Sequence, residues 1–238
     1  MNFSQLPALT LTAALALGAT AAQAVEVTGG SVGLSYSAFA DETDLNRLGL
    51  EGSMELGFSR NLGLQIDTAY HDFDFFDINS TLLGLHGIYH MNDATSLGVF
   101  YTREESEGEE ADIFGLEAGY EVQEWEFEGY IANIDTDAGD ATLGGIKARY
   151  EMVEGFGLTG SYDRGEEDGG DVSRFAIRLD RDVSANTNLF LEVGSAKAEV
   201  GGFSNSEPFV GLGGKINFGA DRGTTFDQRG TARLIPGL

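Results

Sequence analysis

The chain has 238 residues, no cysteine, and 39 Asp and Glu against 14 Lys and Arg, for a formal net charge of −25. Without thiols there is no disulfide, thiolate metal site or lipid-modified N-terminal cysteine, and so acidic a chain is the wrong sign for nucleic acid. An uncharged apolar run from Leu6 to Ala22, broken by Thr10, Thr12, Gly18 and Thr20, leads into Ala22-Gln23-Ala24. It is short for a membrane span and predicts a secretory signal peptide over residues 1–24, cut after Ala24.

From Ser31 to Phe218, twelve segments alternate apolar and polar residues, the pattern of strands with two unlike faces. With the apolar member taken as outward, the first presents Val32, Leu34 and Tyr36, and the second Leu48, Leu50, Met54, Leu56 and Phe58. Ser59-Arg60-Asn61 turns the chain into a third segment with Leu62, Leu64, Ile66 and Tyr70 outward. The fourth shows Leu83, Leu85 and Tyr89, and Asn92-Asp93-Ala94-Thr95 leads to a fifth with Leu97, Val99 and Tyr101. The sixth offers Phe114, Leu116, Ala118, Tyr120 and Val122, and Gln123-Glu124 turns it into a seventh with Trp125, Phe127 and Ile131. The eighth (Ile146, Ala148, Tyr150, Met152) turns at Val153-Glu154-Gly155 into the ninth (Phe156, Leu158, Tyr162). The tenth (Phe175, Ile177, Leu179) turns at Ser184 to Thr187 into the eleventh (Leu189, Leu191, Val193), and the twelfth shows Val210, Leu212, Ile216 and Phe218. Each is about ten residues long, which is what a tilted strand needs to cross a bilayer.

The remaining connections read as longer loops: Asp41 to Asn46, Asp72 to Asn79, Glu104 to Asp112, Asp135 to Asp140, Gly165 to Asp171 and Val200 to Ser206. Short and long connections therefore alternate. Lipid offers no hydrogen-bond partner, so a spanning sheet must close on itself, and an even strand number with short periplasmic turns and long outer loops is the expected form. The expected fold is all-β, a twelve-stranded antiparallel transmembrane barrel over residues 25–218 with acidic extracellular loops. Aromatic placement agrees, since Trp and Tyr favour the two bilayer interfaces. Phe58, Tyr89, Tyr120, Trp125, Tyr150, Phe156 and Phe218 lie beside the short turns or the end of the barrel, and Tyr36, Tyr70, Tyr101, Phe114, Tyr162 and Phe175 beside the long loops.

The final segment, Phe209-Val210-Gly211-Leu212-Gly213-Gly214-Lys215-Ile216-Asn217-Phe218, alternates outward apolar residues and ends in an aromatic. With the architecture over Val25 to Phe218, it resembles the small porin-like outer-membrane proteins of Gram-negative bacteria. The resemblance implies an assembly signal ending at Phe218, read by the barrel assembly machinery, and outer-membrane lipid and lipopolysaccharide as surroundings. This chain departs from the family in continuing from Gly219 to Leu238, with Arg222, Arg229 and Arg233 against Asp221 and Asp227. The extra segment has no strand alternation and is expected as a periplasmic tail that can lie against the acidic lower lumen.

Many inward positions are small, among them Gly33, Gly49, Gly98, Gly115, Gly119, Gly145, Gly194 and Gly213, which would leave a narrow pore between the filled eight-stranded and open sixteen-stranded cases. Inward Phe100, Tyr130, Phe190 and Phe209 would obstruct part of it. The candidate pore-lining acids are Glu51, Glu55, Asp67, Glu117, Glu121, Glu126 and Glu128, and the candidate bases Lys147, Arg149, Arg174, Arg178 and Lys215. Opposed acidic and basic walls resemble a porin eyelet, where a transverse field orients polar solutes. Salt bridges that close the lumen are the alternative, since buried charges need partners. With Glu151, Asp163, Asp180 and Glu192, inward acids number eleven against five bases, so pairing leaves acid over.

Other sites are weak. His71, His86 and His90 fall at different heights on two strands and do not converge on a metal. His71-Asp72 with Asp74 and Asp77 reads as a solvated acidic rim, because a hard cation needs six or more arranged oxygens. Asp135 to Asp140 lacks the length and terminal Glu of a calcium loop. No serine stands beside a histidine, so no catalytic constellation of a barrel lipase or protease is present, and no cofactor is implied. The expected function is a passive, cation-preferring diffusion channel for small polar solutes; the rival is a closed structural or adhesive barrel whose loops are bridged to lipopolysaccharide by divalent cations. Epitope tags in Glu104–Glu110 and Glu166–Asp171 are expected to be labelled on intact cells; labelling only after the outer membrane is broken would reverse the orientation.

Overall fold

A computed structural model describes residues 25–74, 78–137, 139–153, 155–167, 169–219 and 223–236. The expected signal peptide lies outside the described residues. The strands are β1 (Glu26–Phe39), β2 (Asn46–Gly57), β3 (Leu62–Phe73), β4 (Ile78–Asn92), β5 (Thr95–Ser106), β6 (Glu109–Val122), β7 (Trp125–Thr136), β8 (Gly139–Glu151), β9 (Phe156–Glu167), β10 (Gly170–Ser184), β11 (Thr187–Val200) and β12 (Phe203–Gly219), followed by a 3-10 turn at Ala232–Leu234. Each strand pairs antiparallel with its sequence neighbours, and β12 closes on β1 from Gly29 opposite Gly219 to Phe39 opposite Phe209. Closure leaves no sheet edge, the one arrangement of strands that satisfies every backbone group in hydrocarbon.

The side-chain faces follow the alternation. Leu116, Ile131 and Ile146 are 61%, 66% and 67% exposed on the outside, whereas inward Ile113, Leu143 and Phe209 are at most 1% exposed. An apolar exterior around a packed polar interior inverts the soluble arrangement and fits lipid. Near the end where β1 starts and β12 finishes, here the terminal end, Trp125 packs against Phe127 and Tyr150 at 5.7 and 4.8 Å between ring centres. There too the ring of Phe218 covers Gly30, where a Cβ would stand 2.2 Å from it.

Two expectations change. The strands run 12 to 17 residues rather than about ten. Four of the six connections read as long loops are hairpins closed by two residues, at 107–108, 137–138, 168–169 and 201–202. The strands simply continue past the bilayer, where acidic side chains are solvated on a ladder as well as in a loop. Glu107 and Gly108 have φ of +50° and +88°, and Gly201 and Gly202 +59° and +85°, the left-handed pair that matches the twist of a hairpin. Ala40 to Leu45 remains a true loop, and residues 75–77 lie outside the described residues.

The inward aromatics lie against glycines on the neighbouring strand instead of standing across the lumen. Phe100 faces Gly115, Tyr130 faces Gly145, Phe190 faces Gly213 and Phe209 faces Gly194 as direct cross-strand partners. A Cβ at these four glycines would fall 2.5 to 2.7 Å from the ring, so each glycine is the seat of an aromatic, a known way to stabilise glycine in a sheet. Phe100, Ile113, Ala132, Ile134 and Leu143 then form an apolar cluster inside the far half of the barrel.

Leu116→Arg places a charge on the lipid face and is expected to cost about 2 to 4 kcal/mol, read from the urea midpoint of refolding into lipid vesicles. No change in midpoint would mean that β6 has been given the wrong outward face.

Candidate functional site

Strand order sorts the inward charge. Acids dominate the inner face of β2, β3, β5, β6 and β7, whereas on the opposite arc the bases of β8, β10 and β12 alternate with Asp163, Asp180 and Glu192. Between them runs the segment expected as a periplasmic tail lying against the acidic lower lumen.

β12 ends at Gly219, whose φ of +96° is in the left-handed region. A Cβ there would come 2.9 Å from the Cα of Gly29, so only glycine lets the chain turn back this close to β1. From Gly223 to Pro236 the chain then climbs through the lumen, a correction to the expected periplasmic extension. Near the terminal end the Thr225 amide donates to Glu55 Oε2 at 2.8 Å. Gln65 brackets Phe226, donating to its carbonyl at 2.9 Å and accepting from its amide at 3.3 Å. Arg229 Nε donates to Glu117 Oε2 at 2.9 Å and its Nη2 pairs with Glu128. The Thr231 amide and hydroxyl both donate to Glu104 Oε2, at 2.7 and 2.8 Å. At the far end Arg47 donates to the Ala232 carbonyl and Ser37 to the Pro236 carbonyl, while Leu234 completes the apolar cluster.

The physical reason lies in the acid surplus. Carboxylates in a packed interior need counter-charge or donors, and the tail brings Arg229, Arg233 and a row of backbone amides. Its only aromatic, Phe226, is 1% exposed. A Cβ at Gly98 would meet its ring at 2.8 Å and one at Gly119 at 3.4 Å. Those glycines, read as leaving space for water, leave space for Phe226. Its ring also stacks on His86 at 6.4 Å between centres, and His86 holds Glu117 Oε1 and Asp67 Oδ2 at 2.6 and 2.9 Å from its two nitrogens.

The remaining expected residues fall as follows. Glu51 keeps a half-exposed side chain 3.9 Å from His71. Glu121 and Glu126 sit exposed at the terminal rim, below the lumen, and Glu126 accepts from Arg149 at 3.3 Å. Arg149 also pairs with Asp180 at 2.9 Å. Lys147 bridges Glu128 and Asp227 at 2.8 and 2.7 Å. Arg174 and Arg178 share Glu192, the latter at 3.0 Å, and their guanidinium groups lie 4.9 and 4.1 Å from the ring centres of Phe209 and Phe190. His71, His86 and His90 do not meet: His90 bonds Ser96 at 2.8 Å, far from the other two in register. Asp135 and Asp140 face each other across an exposed hairpin, and Asp77 lies outside the described residues. Sequence reasoning missed Arg47, just past the first connection, Glu104, assigned to a connection, and the lumenal roles of Phe226, Arg229 and Arg233. The available signal was the pairing of surplus inward acid with a tail that carries arginines.

Beside the tail a cavity of about 150 Å³ stays open, between β1, β2, the β8–β12 arc and the tail itself. Its lining runs from Ser31 and Lys215 to Ser37 and Arg47, about 20 Å along β1 at ~3.3 Å per residue. At about 10 to 15 Å³ of such space per water, it holds on the order of ten waters.

Residues 76–202 match a family model described as the Gram-negative porin. The chain belongs to that porin family. No curated protein matches it in sequence. Among solved structures, the KdgM porin in complex with disordered oligogalacturonate superposes with a TM-score of 0.61 at 13% identity, covering 79% of this chain and 99% of that one. An outer-membrane channel from Pseudomonas putida F1 gives 0.61 at 14% identity over 83% and 97%, and the NanC porin 0.58 at 8% over 79% and 98%. At these identities the likeness is one of fold, and it agrees with the outer-membrane barrel described above.

Removing one partner of a buried ion pair costs about 3 to 5 kcal/mol. In this porin Arg229→Met is therefore expected to loosen the tail, so that a cysteine introduced as Ala232→Cys, protected when Arg229 is present, reacts with a bulky maleimide. Continued protection would show that the Arg229 pairs do not hold the tail in place.

Proposed function

We propose that the protein is a passive diffusion channel for small polar solutes in the outer membrane. The observation that carries this reading is the polar, charge-lined cavity that persists beside the tail along about 20 Å of the wall. At on the order of ten waters it suits single small solutes and not extended chains. We place the terminal end in the periplasm, after export by the signal over residues 1–24, with Phe218 as the residue that the assembly machinery reads at the end of β12. Its outward position beside Gly30 supports that role, and the exposed acidic hairpins at the other end would then meet lipopolysaccharide.

The cation preference expected from the sequence belongs to the barrel wall alone, where inward acids outnumber bases. The tail covers much of that acid, so the sign of the preference depends on it.

The observation that favours the rival, a closed structural or adhesive barrel, is the same tail, since it fills the acidic half of the lumen. Planar-bilayer recording separates the two. The purified protein is expected to give small, stepwise conductance and to let liposomes swell in small neutral solutes but not in oligosaccharides. A silent bilayer and unswollen liposomes would establish the closed barrel.

A further inference from the structure

We propose that the C-terminal tail sets the sign of charge selectivity: by lying along the acidic arc, it turns a barrel whose bare wall attracts cations into one whose open passage favours small anions. This rests on the channel reading above.

Glu55, Asp67, Glu104, Glu117 and Glu128, one each from β2, β3, β5, β6 and β7, are engaged by the tail or sealed behind it, and none of the five lines the cavity. Asp67 and Glu117 are further enclosed by His86, which Phe226 covers. Carboxylates bonded in this way no longer offer their field to an ion in the passage.

What remains open is the other arc. Arg47, Lys147, Arg174, Arg178 and Lys215 line the cavity from the wall, and Arg233 lines it from the tail. The acids there are Glu51, Glu192 and Asp227. Two of these are already shared among the bases, Glu192 between Arg174 and Arg178, and Asp227 between Lys147 and Arg233. From just outside the lining, Glu128 beside Lys147 and Asp163 beside Arg174 and Arg233 offset part of this charge. Arg47 and Lys215 stand in no ion pair among the described residues, and within a passage narrower than about two Debye lengths, ~8 Å each at physiological salt, they keep the field positive. The tail acts by withdrawing carboxylates, since the Arg233 that it adds to the lining is matched by Asp227, which it also adds. The ligand class that fits is a small monovalent or divalent anion, including a carboxylate, and not a polyanion, which the remaining volume would exclude.

Reversal potentials across a potassium chloride gradient in planar bilayers test this. For the full chain the chloride-to-potassium permeability ratio is expected above one, falling toward one as salt rises. For the chain ended at Phe218 the ratio is expected below one, with a several-fold larger conductance. A second variant, Arg229→Ser with Arg233→Ser in the full chain, keeps the tail and is expected to move the ratio toward potassium, which covers the case in which the truncated chain does not assemble. The same ratio in all three proteins would overturn the proposal while leaving the channel in place. Conductance only after truncation would overturn it too, making the tail a seal and not a filter. Silence from the full and the truncated chain alike would remove the channel reading and this inference with it.

Discussion

A strand that crosses hydrocarbon has no water to accept its amide protons, so every backbone group must bond to another strand, and the pairing of β12 with β1 is what makes this possible. Once the sheet is closed, alternation assigns each residue to lipid or lumen without appeal. Leu116 and Glu117 are neighbours in sequence, yet one is 61% exposed toward lipid and the other is buried against Arg229 and His86. All the chemistry of this protein then lies on the inner face, and the interior has to be filled or hydrated in a way that satisfies many carboxylates.

Three devices fill it. Aromatic rings lie flat on the glycines of adjacent strands, which narrows the lumen without crossing it. Buried guanidinium groups are held between acids and ring faces, as Arg174 is between Glu192 and Phe209. Last, the polypeptide itself returns through the lumen and supplies donors where the wall has only acceptors. Glu104 illustrates the last device, taking two bonds from Thr231 and one from Ser80. The outcome is asymmetric, since the tail covers most of the acidic arc while the basic arc faces the remaining cavity.

That asymmetry changes what inward charge means for transport. Counting inward residues treats all of them as equally felt by a passing ion. A carboxylate paired with buried Arg229 contributes little field to the passage, whereas Lys215, which lines the cavity and is in no ion pair among the described residues, contributes more. Occupancy of the lumen, not the composition of its wall, decides which charges a solute meets.

The twelve strands, their outward residues, the hairpin partners and both aromatic girdles were legible in the sequence, because lipid imposes a period of two that no packing detail overrides. Alternation also gives the inward direction of Glu55, Glu117, Glu128, Lys147 and Arg174, whereas Glu121 and Glu126 lie exposed at the rim and the inward Arg47 and Glu104 were missed. The extent of the strands was misread, since acidic residues beyond the bilayer are as compatible with a hairpin as with a loop, and Glu107-Gly108 closes what composition suggested was open. The place of the tail was decided only in three dimensions. Residues 223–236 carry no periodicity that names a partner, and their partners, from Glu55 to Pro236's acceptor contact with Ser37, lie up to 199 residues away in the chain. Local pattern determines a face; only the closed barrel brings five strands' carboxylates within reach of one arginine-bearing segment, and charge compensation across that distance has no local signature.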